Sequence, residues 1–393
     1  MDARHSEGRL GSRTSTCIAP AWHMDLGLWP ATSDREVVQG TPGIAGPDPW
    51  EHRMPTNRRV VVTRHGGPQV LAMVQEAMPE PGPQEARVAV RAAGVSAYDL
   101  MVRRSGRLPG SPKVPFTPGV DVVGVVDAVG HGCDLEPGGM VAGWTIRSGG
   151  MGGYAEYLCL PGVDLVPVPE GVDPAEAVCM VVNFLTAHAV MHQVAKVRAG
   201  ERALVQGAAG GVGSALVQLG TLAGLELYGT ASAANQGVVA DLGATPLDYR
   251  SQDVVARVRE LTGGGVDVVF DPIGGAVQLW RSYRTLRPTG RLVWFGMAAT
   301  REHGLRIIPS TLAMRAVLAL LPDGKKAPST PDISTFGDQW YRCTLTHLLA
   351  LLATGQVKPL VADRVPMDEA ARAHAILERG GHAGKVVLLP SRM

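Results

Sequence analysis

This 393-residue sequence has few cysteines, few aromatics and no excess of charge of either sign. Its five cysteines (Cys17, Cys133, Cys159, Cys179 and Cys343) form no Cys-x-x-Cys pair and no dense framework. Such scatter argues against a disulfide scaffold and against a thiolate zinc site. The 37 Lys+Arg against 36 Asp+Glu leave a net charge of +1, and like charges form no block. Nucleic-acid binders and membrane-surface proteins normally carry such a block, so neither partner is expected. No uncharged apolar run approaches the ~18–20 residues of a membrane span. The longest, residues 312–321, is interrupted by Arg315. The first 53 residues lack the basic start, apolar stretch and cleavage site of a secretory signal. Their seven acidic residues also argue against an organelle transit peptide. The expected location is cytoplasmic.

What is plentiful is glycine (49), proline (29) and hydrophobic residues (45%), the mark of a folded chain rich in tight turns. At roughly 150 residues per domain, the length suggests two to three domains. Residues 1–53 hold six Gly, five Pro and three of the seven Trp without hydrophobic periodicity. They read as a disordered leader or a start placed too early, with Met54 opening the first domain. From Arg58 the pattern is β-type, in the runs 60–62, 87–90, 119–129 and 153–160. After Pro174 strands alternate with helices. Strands are expected at 203–206, 225–230, up to 247, 266–271 and 291–295, and helices at 213–223, 238–242, 251–262 and 275–286. That spacing signals βαβ units and a parallel sheet. The tail returns to a helix (367–379) and a last strand (386–389). The predicted class is α/β, with a doubly wound domain at 181–321 interrupting a β-rich domain at 54–180. Residues 322–393 would hold an insertion and the return to the first domain.

Residues 204–213 read Leu-Val-Gln-Gly-Ala-Ala-Gly-Gly-Val-Gly, where a strand gives way to a helix. Small side chains at Ala208, Gly210, Gly211, Val212 and Gly213 let the backbone approach a pyrophosphate. That anion would rest on the unpaired N–H groups of the helix N-terminus. An NAD site usually places Asp or Glu at the end of the second strand, to hold the ribose 2′-OH. Here that end reads Tyr228-Gly229-Thr230-Ala231-Ser232, with Glu226 and Asp241 the nearest acids. The missing carboxylate favours NADP(H). No Lys or Arg lies between Arg202 and Arg250. A 2′-phosphate would therefore fall to Ser232, Asn235 and Tyr249, with Arg250 as the only cation. A hydrogen bond to a charged group contributes ~1.5–3 kcal/mol, roughly 10- to 150-fold in preference.

Several motifs then carry a family resemblance: AAGVSAYDLMVRRSG (92–106), PFTPGVDVVGVVDAVG (115–130), VVNFLTAH (181–188), VQGAAGGVGSALVQL (205–219), DYRSQDVVARVRELTGGGVDVVFDPIGG (248–275), GRLVWFG (290–296) and HAGKVVLLP (382–390). Over about residues 58–390 the chain resembles the medium-chain dehydrogenase/reductase superfamily. It is most similar to the zinc-free quinone oxidoreductases related to zeta-crystallin. The resemblance implies a β-rich GroES-like catalytic domain and a Rossmann domain. Zinc-dependent relatives use Cys and His ligands and a Gly-His-Glu motif. Here Gly119-Val120-Asp121 occupies that motif, Ser96 or Ala97 the first Cys position, and Val182 the neighbourhood of the second. His188 and His192 are spaced i, i+4 without a third ligand and read as ordinary helix histidines. No metal is expected.

By the same resemblance, Asn183, Thr186 and the turn Phe295-Gly296-Met297 would flank the nicotinamide. Asp271 and Ile273 would lie close by, mostly through backbone. Alternatively, Asp271 only caps the turn after its strand, and Phe295 only packs the core. Relatives often have Asn where Ser96 stands and Tyr where Met101 stands, and a methionine cannot donate a proton. Proton supply would fall to Ser96, Tyr98 or a relayed water, with Asp99 orienting backbone or pairing with Arg103. The expected activity is NADPH-dependent hydride delivery to a small quinone or to a conjugated C=C bond of an enone or enal. A pathway-specific enoyl reductase and a non-catalytic NADPH-binding regulatory protein are the alternatives. The Pro/Gly/Ser/Thr-rich segment near 322–340 is longer than ordinary connections and reads as a lid or a surface insertion. Residues 305–309 would be an edge strand pairing two cofactor domains in a homodimer.

Overall fold

Short Val- and Ala-rich runs, cut by turn glycines, build three sheets. The computed structural model describes residues 56–106, 111–296, 298–328 and 330–390. The leader assignment at 1–53 and the Met297 contact fall outside them.

β1 (Thr56–Val62) and β2 (Leu71–Ala77) form an antiparallel ribbon. The seven-stranded sheet is built on β3 (Glu85–Val95), β4 (Asp121–Val129), β5 (Met140–Trp144), β6 (Tyr157–Pro161) and β7 (Leu165–Pro167). The tail joins the same sheet, because β14 (Lys385–Leu389) pairs with β3 and β13 (Val361–Pro366) pairs with β14. The five-stranded sheet contains β8 (Arg202–Val205), β9 (Glu226–Ala231), β10 (Thr245–Asp248), β11 (Val266–Asp271) and β12 (Leu286–Trp294). All its pairings are parallel, in the order β10-β9-β8-β11-β12. The chain starts at β8, builds outward on one side, then crosses to β11. The loops after β8 and β11 therefore meet at a topological switch point, where doubly wound sheets open a crevice. Both expected architectures are present.

The helical stretch Pro174–Ala195 connects the two large sheets. Asp173 caps it by accepting from Ala175 N (2.7 Å) and Glu176 N (3.2 Å). At 22 residues it is also long and apolar enough to cross a membrane, a match that Asn183, Thr186, His188, His192 and Gln193 hide from a search for unbroken apolar runs. Its most apolar 18-residue window is 67% buried, and its central residues Cys179, Met180, Val181, Phe184 and Leu185 belong to the main core. Within it, Met180–Phe184 winds as a wider π-turn. Such turns commonly sit at functional sites, and this one carries Asn183.

Two expectations fail. Residues 305–309 are not an edge strand, because Gly304–Arg306 is a 3-10 turn running into the helix Ile307–Leu320. Pro309 sits in the first turn of that helix, where a proline's missing N–H costs nothing. The free side of β12 is instead covered at Leu292 and Gly290, which exchange backbone hydrogen bonds with Lys326. The helix expected at 275–286 stops at Arg284, and Leu286 already opens β12.

Candidate active site

A cleft of about 750 Å³ opens at the switch point. Its floor is the glycine loop. Gly207 adopts φ +64°, a conformation other residues resist, and starts the turn. Gly213 lies against the Gly207 carbonyl, where a Cβ would overlap it. Buried Gln206 braces the loop from behind, accepting from Thr230 Oγ1 (2.8 Å) and donating to Ser282 Oγ (3.1 Å). The helix Gly211–Leu222 begins with no side-chain cap, so its first N–H groups face the cleft unclaimed. Gly210, Gly211 and Val212 line the cleft, while Ala208 and Gly213 support the turn from beneath. This geometry fits a dinucleotide pyrophosphate.

Asn183 and Thr186 both line the cleft. Asn183 is buried, and its amide packs on Gly211 where any Cβ would collide with Nδ2. The turn after β12 brings in Phe295 and Gly296, and Gly296 lies too close to the Pro272 carbonyl for a side chain. Asp271 and Ile273 flank Pro272, which lines the cleft while they do not. Asp271 is fully buried and accepts from Ile273 N (2.8 Å), Gly274 N (3.1 Å), Ser282 Oγ (2.7 Å) and Gln278 Nε2 (3.3 Å). It is the cap of the turn, the plainer of its two readings. Burial pushes its carboxyl up, and those hydrogen bonds oppose the shift.

The catalytic-domain wall revises the proton-donor candidates. Ser96 caps the helix Ala97–Ser105, donating to Asp99 Oδ2 (2.5 Å) and accepting from Asp99 N (3.2 Å). Its one proton is committed there. Asp99 also accepts from Gly119 N (2.8 Å), and its burial raises its carboxyl to about 6. The Asp99–Arg103 pairing is not formed. Arg103 is fully buried and pairs with Glu378, an acid too distant in sequence for helical spacing to reveal. Tyr98 lines the cleft, half-buried, and its hydroxyl makes no hydrogen bond among the described residues. Desolvation raises its pKa, which makes it a weaker acid.

At the far end, Asp248 of β10 is in register with Ala231 of β9, which brings residues 249–250 beside Ser232. None of Ser232, Asn235, Tyr249 and Arg250 lines the main cleft. Tyr249 is 52% exposed, and the Arg250 guanidinium lies 5.6 Å above its ring. That guanidinium makes no hydrogen bond among the described residues, and its charge acts on nearby Asp248. Asn235 donates to Gly381 O (3.2 Å). Asp248 is a nearby carboxylate the sequence reading passed over. It accepts from Arg250 N (3.0 Å) and Ser251 Oγ (2.9 Å), which hold it below the usual carboxylate range.

The segment near 322–340 walls the cleft through Thr330, Pro331, Asp332, Ile333 and Ser334. Sequence reasoning also missed Lys385, Trp144, Ile146 and Arg315, all on the cleft walls. The one available signal was for Lys385, a charge sitting inside the apolar run GKVVLL.

Two family descriptions match the chain: an alcohol dehydrogenase GroES-like domain at residues 82–170 and a zinc-binding dehydrogenase domain at 242–388. The rat synaptic vesicle membrane protein VAT-1 homolog is 33% identical over 86% of this chain and 85% of its own length. A quinone oxidoreductase of Pseudomonas aeruginosa is 32% identical over 85% of this chain and 99% of its length. The chain belongs to the medium-chain dehydrogenase/reductase superfamily. Its structural neighbours include the Escherichia coli quinone oxidoreductase solved with NADPH, at TM-score 0.76 and 26% identity over 85% of this chain and 100% of that one. The positions that the resemblance gives to zinc ligands hold no metal-binding side chain in this chain. Ser96, Ala97, Val120 and Val182 line the cleft with no thiolate or imidazole among them. No group of three or more His, Cys, Asp or Glu that could hold a metal occurs among the described residues. His188 and His192 lie with ring centroids 4.6 Å apart, and burial lowers the His188 pKa to about 4.

Proposed function

We propose that this medium-chain reductase binds NADPH and transfers hydride, without a metal ion, to a small quinone or a conjugated C=C acceptor. The observation that carries the reading is the cleft itself. An apolar chamber of about 750 Å³ adjoins a glycine loop at a sheet switch point, and among the described residues no group of three or more His, Cys, Asp or Glu could hold a metal there. NADPH, when bound, supplies the hydride. The glycine loop takes the pyrophosphate on its free N–H groups, and the Arg250–Tyr249 shelf takes the 2′-phosphate. Asn183 and Thr186 orient the nicotinamide end. Trp144, Ile146, Phe295 and Ile333 keep water from it and accept a flat acceptor.

The test is NADPH consumption by chelator-treated protein with a benzoquinone, a naphthoquinone, an enal and an enone. Rapid loss of NADPH with at least one acceptor, undiminished by the chelator, is the expected result. Loss of turnover on chelation, or NADPH binding with no consumption for any acceptor, would overturn the reading.

A further inference from the structure

The helix Ile307–Leu320 carries a single charge, Arg315, in an otherwise uncharged and mostly apolar sequence. Its burial runs against the usual order. Leu312, Val317 and Leu320 are 48%, 51% and 83% exposed, while Arg315 is half-buried on the inner face with Thr311, Met314 and Leu318. Those inner positions are spaced i, i+3, i+4 and i+7, one face of a helix. A surface helix ordinarily turns its charge to water and its leucines inward. Arg315 is the one residue of this helix that lines the cleft. It forms no hydrogen bond, ion pair or ring contact among the described residues. Polar groups of the same cleft are spent on their own neighbours. Thr330 donates to Trp294 O (2.7 Å), and Asp332 accepts from Ser334 N (3.0 Å) and Ser334 Oγ (2.7 Å). Lys385 is sealed against Asp121, with Nζ 2.8 Å from Oδ2. Arg315 is thus a cation on the cleft wall that meets no protein anion.

The sheet order says which ligand brings the missing anion. The strands run β10-β9-β8-β11-β12. Arg250 follows β10 at one edge, and the glycine loop follows β8 in the middle. Arg315 shares the cleft wall with Trp294, the last residue of β12 at the other edge. A dinucleotide with its 2′-phosphate at Arg250 and its pyrophosphate on the glycine loop has no further anion to bring to Arg315. We infer that Arg315 selects acceptors that carry a carboxylate beyond the conjugated ring or C=C bond that takes the hydride. This rests on the reductase reading above. A guanidinium presents paired N–H donors that match the two oxygens of a carboxylate. In a largely apolar chamber, one such pairing fixes which end of the acceptor points to the nicotinamide. The arginine takes no part in the hydride step; it determines specificity.

The test uses a 1,4-naphthoquinone bearing a propanoate side chain and the methyl ester of the same compound, with wild type, Arg315→Met and Arg315→Lys. Two readouts are taken: kcat/KM for each acceptor, and binding of each to the NADP+ complex. Binding is followed by quenching of tryptophan fluorescence, since Trp144 and Trp294 line the cleft. Wild type should bind the acid more tightly than the ester, and added salt should weaken that preference. Arg315→Met should lower the acid-to-ester ratio of kcat/KM roughly tenfold or more, chiefly through KM, and weaken acid binding to match, at an unchanged Kd for NADPH. Arg315→Lys should keep part of the preference. Equal effects on acid and ester, the mark of a merely structural arginine, would overturn the inference. So would tighter binding of the ester by wild type, or a loss of NADPH affinity in Arg315→Met. If wild type reduces neither acceptor, the reductase reading falls, and the quenching arm still decides whether Arg315 holds a carboxylate.

Discussion

Arg147 and Lys385 are both buried cations beside the cleft, and they differ in how fully their donors are used. Arg147, with a 6% exposed side chain, donates to Asp164 (3.1 Å), to the carbonyls of Ser334 (3.1 Å) and Phe336 (2.8 Å), and to Asp338, and lies 4.4 Å over the Tyr341 ring. Lys385 meets a single carboxylate, with Nζ 2.8 Å from Asp121 Oδ2, in a pair closed off from solvent. A cation with four of its five N–H groups engaged is a fastener, and here it ties the wall segment at 330–338 to the catalytic domain. Arg250 differs from both, because it is exposed, at the opposite end of the site, and open to a ligand.

The largest effect expected of breaking this contrast is on stability, at Arg147. Arg147→Met strands the buried Asp164 carboxylate, and losing one partner of a buried pair costs about 3–5 kcal/mol. Urea unfolding should show that loss, with a raised KM for bulky acceptors and an unchanged Kd for NADPH. Arg250→Ala should do the reverse. It removes a hydrogen-bonding cation worth ~1.5–3 kcal/mol to the 2′-phosphate, so NADPH affinity falls roughly tenfold or more, NADH affinity holds and Tm is unchanged. Equal losses for both dinucleotides would remove Arg250 from the phosphate site.

A smaller effect sharpens the comparison with a buried base kept uncharged. His374 is fully buried against Tyr154, with Nε2 3.1 Å from its hydroxyl, and burial followed by the nearby Arg103 charge lowers its pKa to about 3. Between the unfolded value near 6.5 and pH 3 the unfolded chain binds a proton the native one refuses. This group's share of stability is therefore complete above about pH 6.5 and falls with acidification, by ~1.4 kcal/mol per pH unit. Asp99, raised to about 6, opposes it in the same range, because its proton favours the native state as pH falls. In His374→Gln the stability measured between pH 6 and 4 should lose about one proton of this dependence. An unaltered slope would show that His374 is not kept neutral.

The sequence carries the sheet well and the side-chain chemistry poorly, for a physical reason. Strand spacing and the glycine loop are local patterns, so the parallel sheet and its switch point could be read from residues 203–295. The run at 305–309 misled because Ile-Ile-Pro suits a strand ended by proline as well as a helix opened by one. Asp99 and Arg103 stand i, i+4, yet each finds its partner elsewhere, at Gly119 and Glu378. Lys385 and Asp121 meet only because β14 returns to β3 beside β4, a closure that no local pattern encodes.

The most direct test of the central claim is a stopped-flow record of NADPH absorbance with chelator-treated protein and a naphthoquinone. Loss of NADPH is expected at a rate untouched by the chelator and not raised by added zinc. Zinc-dependent turnover, or a bound cofactor that no acceptor oxidises, would contradict it.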